Sequence, residues 1–268
     1  MKAILRSLLR KMGLLNWIRK ARYRNQHRKY INQFKGQSYY DLQYKNIDLK
    51  FSLADPFSST FFSHHFKNGV YEAQGLDAML NSVGEKSIVL DVGANIGYFT
   101  CFAGKHCRNG HVHAFEMGKA NFEILNDNVE LNRLNNVTTA CYAVADTSSV
   151  VQIQDTAVGN AVLKIIEGKS KDDLISVNSI TLDEYCTTMN IVPEFIKIDV
   201  EGAEMKVLKG MRDILSSNVK LLIEVHETDL KYFQSSKEEV LNYIRSFGYN
   251  LEIIGNDVKK NLLVFASK

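Results

Sequence analysis

Residues 87–268 alternate short apolar runs with longer amphipathic stretches, and this alternation limits the fold more than any other feature of the chain. Apolar runs of this kind are typical of buried strands, and the stretches between them are typical of helices. Such an order predicts an α/β domain with a mostly parallel sheet and helices on both faces. Ligands of these sheets bind beyond the carboxyl ends of the strands, so the residues at those ends are the candidates for function.

The predicted elements follow one another without an internal repeat. The predicted strands are 87–93, 111–116, 137–146, 194–201, 220–226, 249–254 and 261–267, with further strands or hairpins at 149–166 and 176–181. The predicted helices are 97–106, 119–132, 181–189, 203–217 and 236–248. Before residue 87 the pattern predicts a strand at 48–53, a loop at 54–69 and a helix at 71–83. We expect three parts: a basic helical arm (1–35), a substrate-side or lid segment (36–85) and the main domain (86–268).

The charge of the chain is divided unevenly. Residues 1–35 contain eleven Lys or Arg and no Asp or Glu, so the net charge of +3 leaves 3 − 11 = −8 for residues 36–268. An acidic main body argues against binding to nucleic acid, whose affinity depends on neutralising phosphates. The four cysteines show no ligand spacing, and we expect them to be thiols of a reducing compartment. This favours a cytoplasmic protein.

The arm at 1–35 places apolar residues at helical spacing between its Lys and Arg residues. Its apolar runs are too short for a spanning helix or a secretory signal. A basic amphipathic helix of this kind lies on an anionic membrane surface, so we expect peripheral membrane contact. Packing on a partner or on the chain's own domain is an equal alternative, and an organelle transit peptide is a weaker one.

The first strand of the main domain ends in the turn DVGANIG. Gly93 and Gly97 let the backbone approach a ligand, and Asp91 projects to where a ligand's amine or hydroxyl would lie. A dinucleotide site would carry G-x-G-x-x-G, but Asn95 occupies the second glycine position, which disfavours a pyrophosphate. A simple helix cap is the alternative interpretation of this turn.

Acidic residues also end the next two predicted strands. Glu116, at the end of HAFE, is placed to accept hydrogen bonds from both hydroxyls of a ribose, although a surface Glu before a helix would look the same. Asp146, at the end of AVAD, is placed to accept a hydrogen bond from an adenine amino group. An Asp that only starts a turn is an equal alternative there.

Two later strand ends carry the candidates for catalysis. In FIKIDVEGAE, Asp199 and Glu201 can orient a hydroxyl, act as a base or hold a divalent cation, with helix capping as the alternative. In LLIEVHE, Glu224 and His226 share one face of the strand. His226 is a candidate general base with a pKa near neutrality, although a lone His is more often structural.

Together these stretches resemble the FkbM family of S-adenosylmethionine-dependent methyltransferases. The resemblance rests on IVLDVGANIGYFT, HAFEM, NDNVELN, TLDEY, FIKIDVEGAEMKVLKGM and LLIEVH, in that order. It implies a class I methyltransferase fold, which is a Rossmann-like seven-stranded sheet with one antiparallel strand near its edge. It also implies S-adenosylmethionine as cofactor and a hydroxyl of a sugar, glycan or other natural product as acceptor.

The resemblance also assigns a role to each strand end. Glu116 would bind the ribose of the cofactor and Asp146 its adenine, while Asp199, Glu201 and His226 would face the methyl group and the acceptor. The protein must align the acceptor oxygen with the methyl group and accept its proton. We favour a site without metal, and a cation held by Asp199 and Glu201 is the alternative. Four residues would surround the methionine part of the cofactor: Asp91, Gly93, Asn95 and Gly97.

Two other functions compete with this interpretation. An NAD(P)-dependent oxidoreductase needs G-x-G-x-x-G, which is missing, and would leave IKIDVEGAE unexplained. A non-catalytic binding module on the same fold would be expected to lose its strand-end acids, yet they are present here. The melting temperature with S-adenosylhomocysteine or with NAD separates these functions, because a ligand that binds only the folded state raises it.

Deletion of residues 1–35 tests the membrane prediction. We expect the full chain to sediment with anionic liposomes and the truncated chain to remain in the supernatant, because the deletion removes eleven positive charges. Neutral phosphatidylcholine liposomes are the control. Equal binding of both chains to anionic liposomes would refute the prediction.

Overall fold

The computed structural model describes residues 28, 32–66, 70–154, 174–256 and 261–268. The predicted arm helix and much of the predicted hairpin at 149–166 lie outside these residues. The described residues form two compact units, one of residues up to 42 together with those between 50 and 71, and the other of residues 43–49 together with those from 72 onward. The three-part division expected from the sequence stays a prediction. Within the described residues, no helix has the length and apolar character needed to cross a membrane.

The secondary structure follows the alternation seen in the sequence. The strands of the described chain are β1 (Tyr39–Tyr44), β2 (Ile47–Ser52), β3 (Ile88–Val92), β4 (His111–Phe115), β5 (Val137–Ala140), β6 (Ala143–Val144), β7 (Val150–Gln154), β8 (Leu174–Ile180), β9 (Phe195–Ile198), β10 (Lys220–Val225), β11 (Asn250–Asn256) and β12 (Leu262–Ser267). Its α-helices are α1 (Pro56–His65), α2 (Ala73–Ser82), α3 (Tyr98–His106), α4 (Lys119–Leu131), α5 (Leu182–Met189), α6 (Glu204–Lys209), α7 (Arg212–Ser216) and α8 (Lys237–Arg245). A 3₁₀ helix covers Leu230–Phe233.

Seven of these strands form the main sheet, in the order β11-β12-β10-β9-β3-β4-β5. β12 runs antiparallel to both of its neighbours, whereas the pairs among β10, β9, β3, β4 and β5 are parallel. This confirms the predicted fold class, a seven-stranded mostly parallel sheet with one antiparallel strand next to its edge. The chain passes from β3 to β4 and β5 on one side and returns on the other side at β9. The crevice for a ligand therefore opens at the carboxyl ends of β3 and β9.

The apolar runs of the sequence form the centre of this sheet. Leu90, Ile196 and Leu221 lie on β3, β9 and β10, and each is completely buried. Leu90 pairs with Ile196 across the two parallel strands, and Val92 pairs with Ile198 at their carboxyl ends. Both strands therefore end level with each other, which aligns the loops that follow them.

The predicted third strand at 137–146 is interrupted in the structure. β5 ends at Ala140, opposite Phe115, which is also the last residue of β4. No residue of β4 remains for the following segment to pair with, so β6 pairs with β8 in a separate sheet of β6, β8 and β7. The predicted strand at 176–181 is confirmed as β8, and the antiparallel partner of β8 is β7.

The predicted helix at 203–217 is also interrupted, by Gly210. A Cβ atom built on Gly210 would lie 2.1 Å from the carbonyl oxygen of Ala145. At Gly210 the backbone therefore lies closer to the loop after β6 than a residue with a side chain would allow. The helix is divided there into α6 and α7. The sequence contains this glycine, but only the tertiary contact with Ala145 shows why the helix stops there.

The predicted loop at 54–69 contains helix α1, so that prediction is wrong for most of its length. Asp55 caps the helix by accepting a hydrogen bond of 2.7 Å from the backbone N–H of Phe57, and Pro56 occupies the first helical position. The helix also buries its aromatic face within its own unit, where Phe62 stacks on Tyr40 with ring centroids 4.6 Å apart. The loop was predicted from the many Ser, His and Phe residues of this segment, although the capping Asp55 and Pro56 both favour a helix.

Candidate functional site

The loop after β3 comes very close to the chain that leaves β9. Gly93, Asn95 and Gly97 all have positive φ angles, of 80°, 52° and 83°. A Cβ atom on Gly93 would lie 1.8 Å from the carbonyl oxygen of Asp199, so only glycine fits at this position. Glu201, in the loop after β9, also has a positive φ of 51°. Non-glycine residues with positive φ angles are uncommon and cluster at functional sites. Here Asn95 lies in one of the two facing loops and Glu201 in the other.

Asp91 and Asn95 present buried acceptor atoms beside this loop. Asp91 is 2% exposed, and its Oδ2 accepts a hydrogen bond of 2.6 Å from Thr100. Asp91 Oδ1 and Asn95 Oδ1 are buried and accept no hydrogen bond from any described residue. Buried acceptors of this kind are normally satisfied, so both atoms are suited to the donor groups of a bound ligand.

Lys197 links Asp91 to Asp199. It lies on β9 directly opposite Asp91, and its Nζ is 3.8 Å from Asp91 Oδ1 and 3.2 Å from Asp199 Oδ2. Burial alone lowers the pKa of Lys197, but the charges of Asp199 and Asp91 raise it above its ordinary value. Burial raises the pKa of Asp91, and Lys197 acts against that increase. The buried ammonium therefore compensates two carboxylates at adjacent strand ends.

Glu116 follows β4 and joins its end to the loop after β3. Its Oε2 accepts a hydrogen bond of 2.8 Å from the backbone N–H of Asn95, and its Oε1 accepts one of 2.7 Å from Gly118. Burial raises the pKa of Glu116 to about 7, against the effect of these two hydrogen bonds. Each carboxylate oxygen has a second lone pair, so Glu116 can still accept the two hydroxyls of a ribose.

Asp146 does not lie where the sequence placed it. It follows β6 in the small sheet instead of ending the third strand of the main sheet, because that strand stops at Ala140. Its Oδ1 is 3.5 Å from Nζ of Lys206 on α6. It also lines an open cavity of about 560 Å³ together with Phe233 and Tyr243. The predicted contact of Asp146 with the adenine stays a prediction.

His226 lies at the end of β10, where four carboxylates surround its ring. Its Nδ1 lies 2.6 Å from Oε1 of Glu204, a completely buried side chain at the start of α6. Because a carboxylate only accepts, Nδ1 carries a proton and donates it to Glu204. The Nε2 atom faces three other carboxylate oxygens: Glu224 Oε1 at 3.5 Å, Asp199 Oδ1 at 3.7 Å and Glu201 Oε2 at 3.7 Å. The structure thus brings together the three predicted catalytic residues, Asp199, Glu201 and His226.

The carboxylates determine the charge of His226. Burial by itself lowers the pKa of His226, but the hydrogen bond to Glu204 and the charges of the nearby carboxylates raise it to about 10. The expected pKa near neutrality is therefore wrong for the free chain, in which the imidazole holds both protons at pH 7. Burial and the charge of Asp199 raise the pKa of Glu224 to about 8.

The roles of Lys197, Glu204 and Glu224 were not predicted from the sequence. Lys197 and Glu224 each lie two positions before a predicted site residue, so strand alternation places each pair on one face. That alternation was the available signal. Glu204 stands in the first turn of a helix, where an acidic residue is common for the helix dipole alone. Only the packing of α6 against the end of β10 shows its contact with His226.

Comparison with known proteins identifies relatives of this chain. The family described as "Methyltransferase FkbM domain" matches residues 91–251, which is more than half of the chain. Hexuronic acid methyltransferase AglP of Haloferax volcanii is 27% identical over 150 residues, which are 55% of this chain and 59% of AglP. The 31-O-demethyl-FK506 methyltransferase FkbM of Streptomyces tacrolimicus is 26% identical over an alignment of 195 residues, and the match covers 61% of this chain and 73% of that protein. The chain thus spans less than two thirds of AglP.

One solved structure aligns with part of this chain. The crystal structure of methyltransferase FkbM from Methylobacillus flagellatus KT aligns with a TM-score of 0.49 and 20% identity. The alignment covers 69% of this chain and 44% of that protein.

Replacement of Lys197 by methionine tests whether its ammonium stabilises the two strand ends. We expect Lys197→Met to lower the free energy of unfolding by about 3–5 kcal/mol, because the change leaves the partner carboxylates without their counter-charge. Urea denaturation at pH 7 measures the difference, and Lys209→Met, at an exposed position on α6, is the control. Equal stability of the two variants would contradict this role for Lys197.

Proposed function

Because the chain belongs to the FkbM methyltransferase family, we propose that it transfers the methyl group of S-adenosylmethionine to a hydroxyl group of a sugar, glycan or other natural product. One observation carries this proposal: the loop Gly93–Gly97 lies against Asp199. The proposed cofactor loop and the carboxylate–imidazole cluster would therefore share one crevice. Methyl transfer needs this arrangement, since donor and acceptor must meet in line.

The acids at the first two strand ends support a sulfonium cofactor. Asp91 Oδ1 and Asn95 Oδ1 are buried acceptors that would bind the ammonium of the methionine part. Glu116 would accept the ribose hydroxyls with its remaining lone pairs. Gly93 and Gly97 would allow the cofactor to approach the backbone. Carboxylates favour a positively charged sulfonium, whereas a pyrophosphate would be repelled by them.

Asp146 would contact the adenine from outside the main sheet. Lys206 lies on its Oδ1 side, so Oδ2 is the atom available to accept a hydrogen bond from the adenine amino group. This role needs the adenine to reach beyond the end of β5 to the segment after β6.

The cluster around His226 would act on the acceptor. The acceptor oxygen attacks the methyl carbon, the new C–O bond forms as the C–S bond breaks, and the electron pair of that bond stays on sulfur. The hydroxyl proton passes to a carboxylate, because His226 already holds both protons in the free chain. Glu201 is suited to receive it, since its side chain is 46% exposed while Asp199 is 24% exposed. Asp199 and His226 would orient the hydroxyl and compensate the charge.

A sugar acceptor is supported by one relative and by the chemistry of the site. AglP of Haloferax volcanii is a hexuronic acid methyltransferase, and its match covers 55% of this chain. A sugar hydroxyl is a weak acid, so its methylation needs a nearby group that takes the proton. The carboxylates beside His226 supply such a group.

Calorimetric titration with S-adenosylhomocysteine tests the cofactor assignment. We expect the product analogue to bind the wild-type chain, and Asp91→Ala and Glu116→Ala to bind at least about tenfold more weakly, because each loses charged hydrogen-bond acceptors. His226→Ala is expected to bind normally, since His226 would face the acceptor and not the cofactor.

NAD is the control ligand for this titration. Circular dichroism of each variant separates a lost contact from a lost fold. Binding of NAD but not of S-adenosylhomocysteine would contradict the proposed function and favour an oxidoreductase. Binding of neither ligand would favour a non-catalytic module.

A further inference from the structure

We propose that Asp199, Glu224 and His226 bind a divalent transition-metal ion, with Glu204 as the group that orients His226. Each of the three residues offers one ligand atom, and these atoms all lie within 4.8 Å of one another. The sequence favoured a site without metal and named Asp199 and Glu201 as the alternative ligands. The structure points to a different set, which includes an imidazole and a second strand end.

The distances around Nε2 of His226 are the first argument. Oε1 of Glu224 and Oδ1 of Asp199 lie 3.5 Å and 3.7 Å from this atom, which is too far for a charge-assisted hydrogen bond of about 2.7–2.9 Å. Two ligands that each lie about 2.0–2.2 Å from one ion are separated by about 3–4 Å. The spacing therefore fits oxygen and nitrogen atoms that share a central ion better than it fits direct contacts.

The hydrogen bond that orients His226 supports the same site. Its side chain is 4% exposed, and its Nε2 points among the three oxygens and makes no hydrogen bond to a described residue. The Nδ1 atom instead bonds to Glu204, which also accepts a hydrogen bond from the backbone N–H of Gly202. A carboxylate behind a histidine is the usual support of a metal-binding imidazole, because it holds the Nδ1 proton and turns Nε2 to the ion. The ion would replace the proton that Nε2 carries in the free chain, so its binding would release that proton.

The two acidic ligands are also held in place from outside the cluster. Asn261 donates a hydrogen bond of 3.1 Å to Glu224 Oε1, and Lys197 lies 3.2 Å from Asp199 Oδ2. The contact with Lys197 leaves Asp199 Oδ1 to face Nε2 of His226. Imidazole favours transition metals and carboxylates accept Mn²⁺, so the mixed set suits Mn²⁺ or a similar ion better than Ca²⁺.

The role of the ion rests on the proposed function, although its binding does not. A metal-coordinated hydroxyl loses its proton more readily, and Glu201 at the exposed side of the cluster would receive that proton. The acceptor oxygen then forms its bond to the methyl carbon while the C–S bond breaks and its electron pair remains on sulfur.

Titration with Mn²⁺ tests the site directly. The chain is freed of metal with a chelator, and the electron paramagnetic resonance signal of free Mn²⁺ is followed as the ion is added, with and without S-adenosylhomocysteine. We expect saturable binding at one site per chain. Glu224→Gln should weaken binding at least about tenfold and Glu204→Gln about 10–100-fold.

The control is Glu227→Gln. Glu227 follows His226 in the chain, but its carboxylate pairs with Lys237 and is not one of the proposed ligands, so Mn²⁺ affinity should be unchanged. Circular dichroism confirms that each variant is folded. If Glu224→Gln does not fold, the affinity of Glu204→Gln alone is compared with that of the wild type. Absence of saturable binding, or equal affinity of the wild type and both site variants, would overturn the proposal. Calorimetry with S-adenosylhomocysteine is independent of this outcome, so failure of the metal site and failure of the proposed function are distinguishable.

Discussion

The ammonium of Lys197 connects the two strand ends on which the site is built. It lies between Asp91 on β3 and Asp199 after β9, in a position that is almost completely buried. Without a cation there, two carboxylates would face each other at the switch point of the sheet, and desolvation would favour their neutral forms. With it, both can remain charged where Gly93 brings the backbone against Asp199.

The acidic residues of the crevice form two groups, one suited to binding a cofactor and the other to acting on an acceptor. At the ends of β3 and β4, Asp91 and Glu116 are buried and fixed by hydrogen bonds, which suits the recognition of a ligand of constant shape. At the ends of β9 and β10, the carboxylates around His226 are partly exposed, which suits an acceptor that enters and leaves. Glu204 stabilises the cluster around His226, because its hydrogen bond to Nδ1 fixes the orientation of the ring.

Much of this arrangement could be predicted because it depends on strand order alone. Parallel strands bring their carboxyl ends to one edge, so Asp91, Glu116, Asp199 and His226 were identifiable as neighbours from the positions of apolar runs. The position of Asp146 was predicted wrongly because β4 is too short to pair with the residues that follow Ala140 of β5. The length of a neighbouring strand cannot be inferred from a local sequence pattern. The same limit explains the break at Gly210, which depends on a contact with Ala145. The pKa of His226 was misjudged because Glu204 comes from a helix whose packing the sequence does not specify.

A crystal structure of the chain with S-adenosylhomocysteine tests the central claim, which is that one crevice at the ends of β3, β4, β9 and β10 serves both cofactor and acceptor. The account predicts that Glu116 contacts the ribose hydroxyls and that the sulfur atom faces the cluster of Asp199, Glu201 and His226. A ligand seated in the cavity beside Phe233 and Tyr243, or one whose sulfur points away from His226, would contradict it.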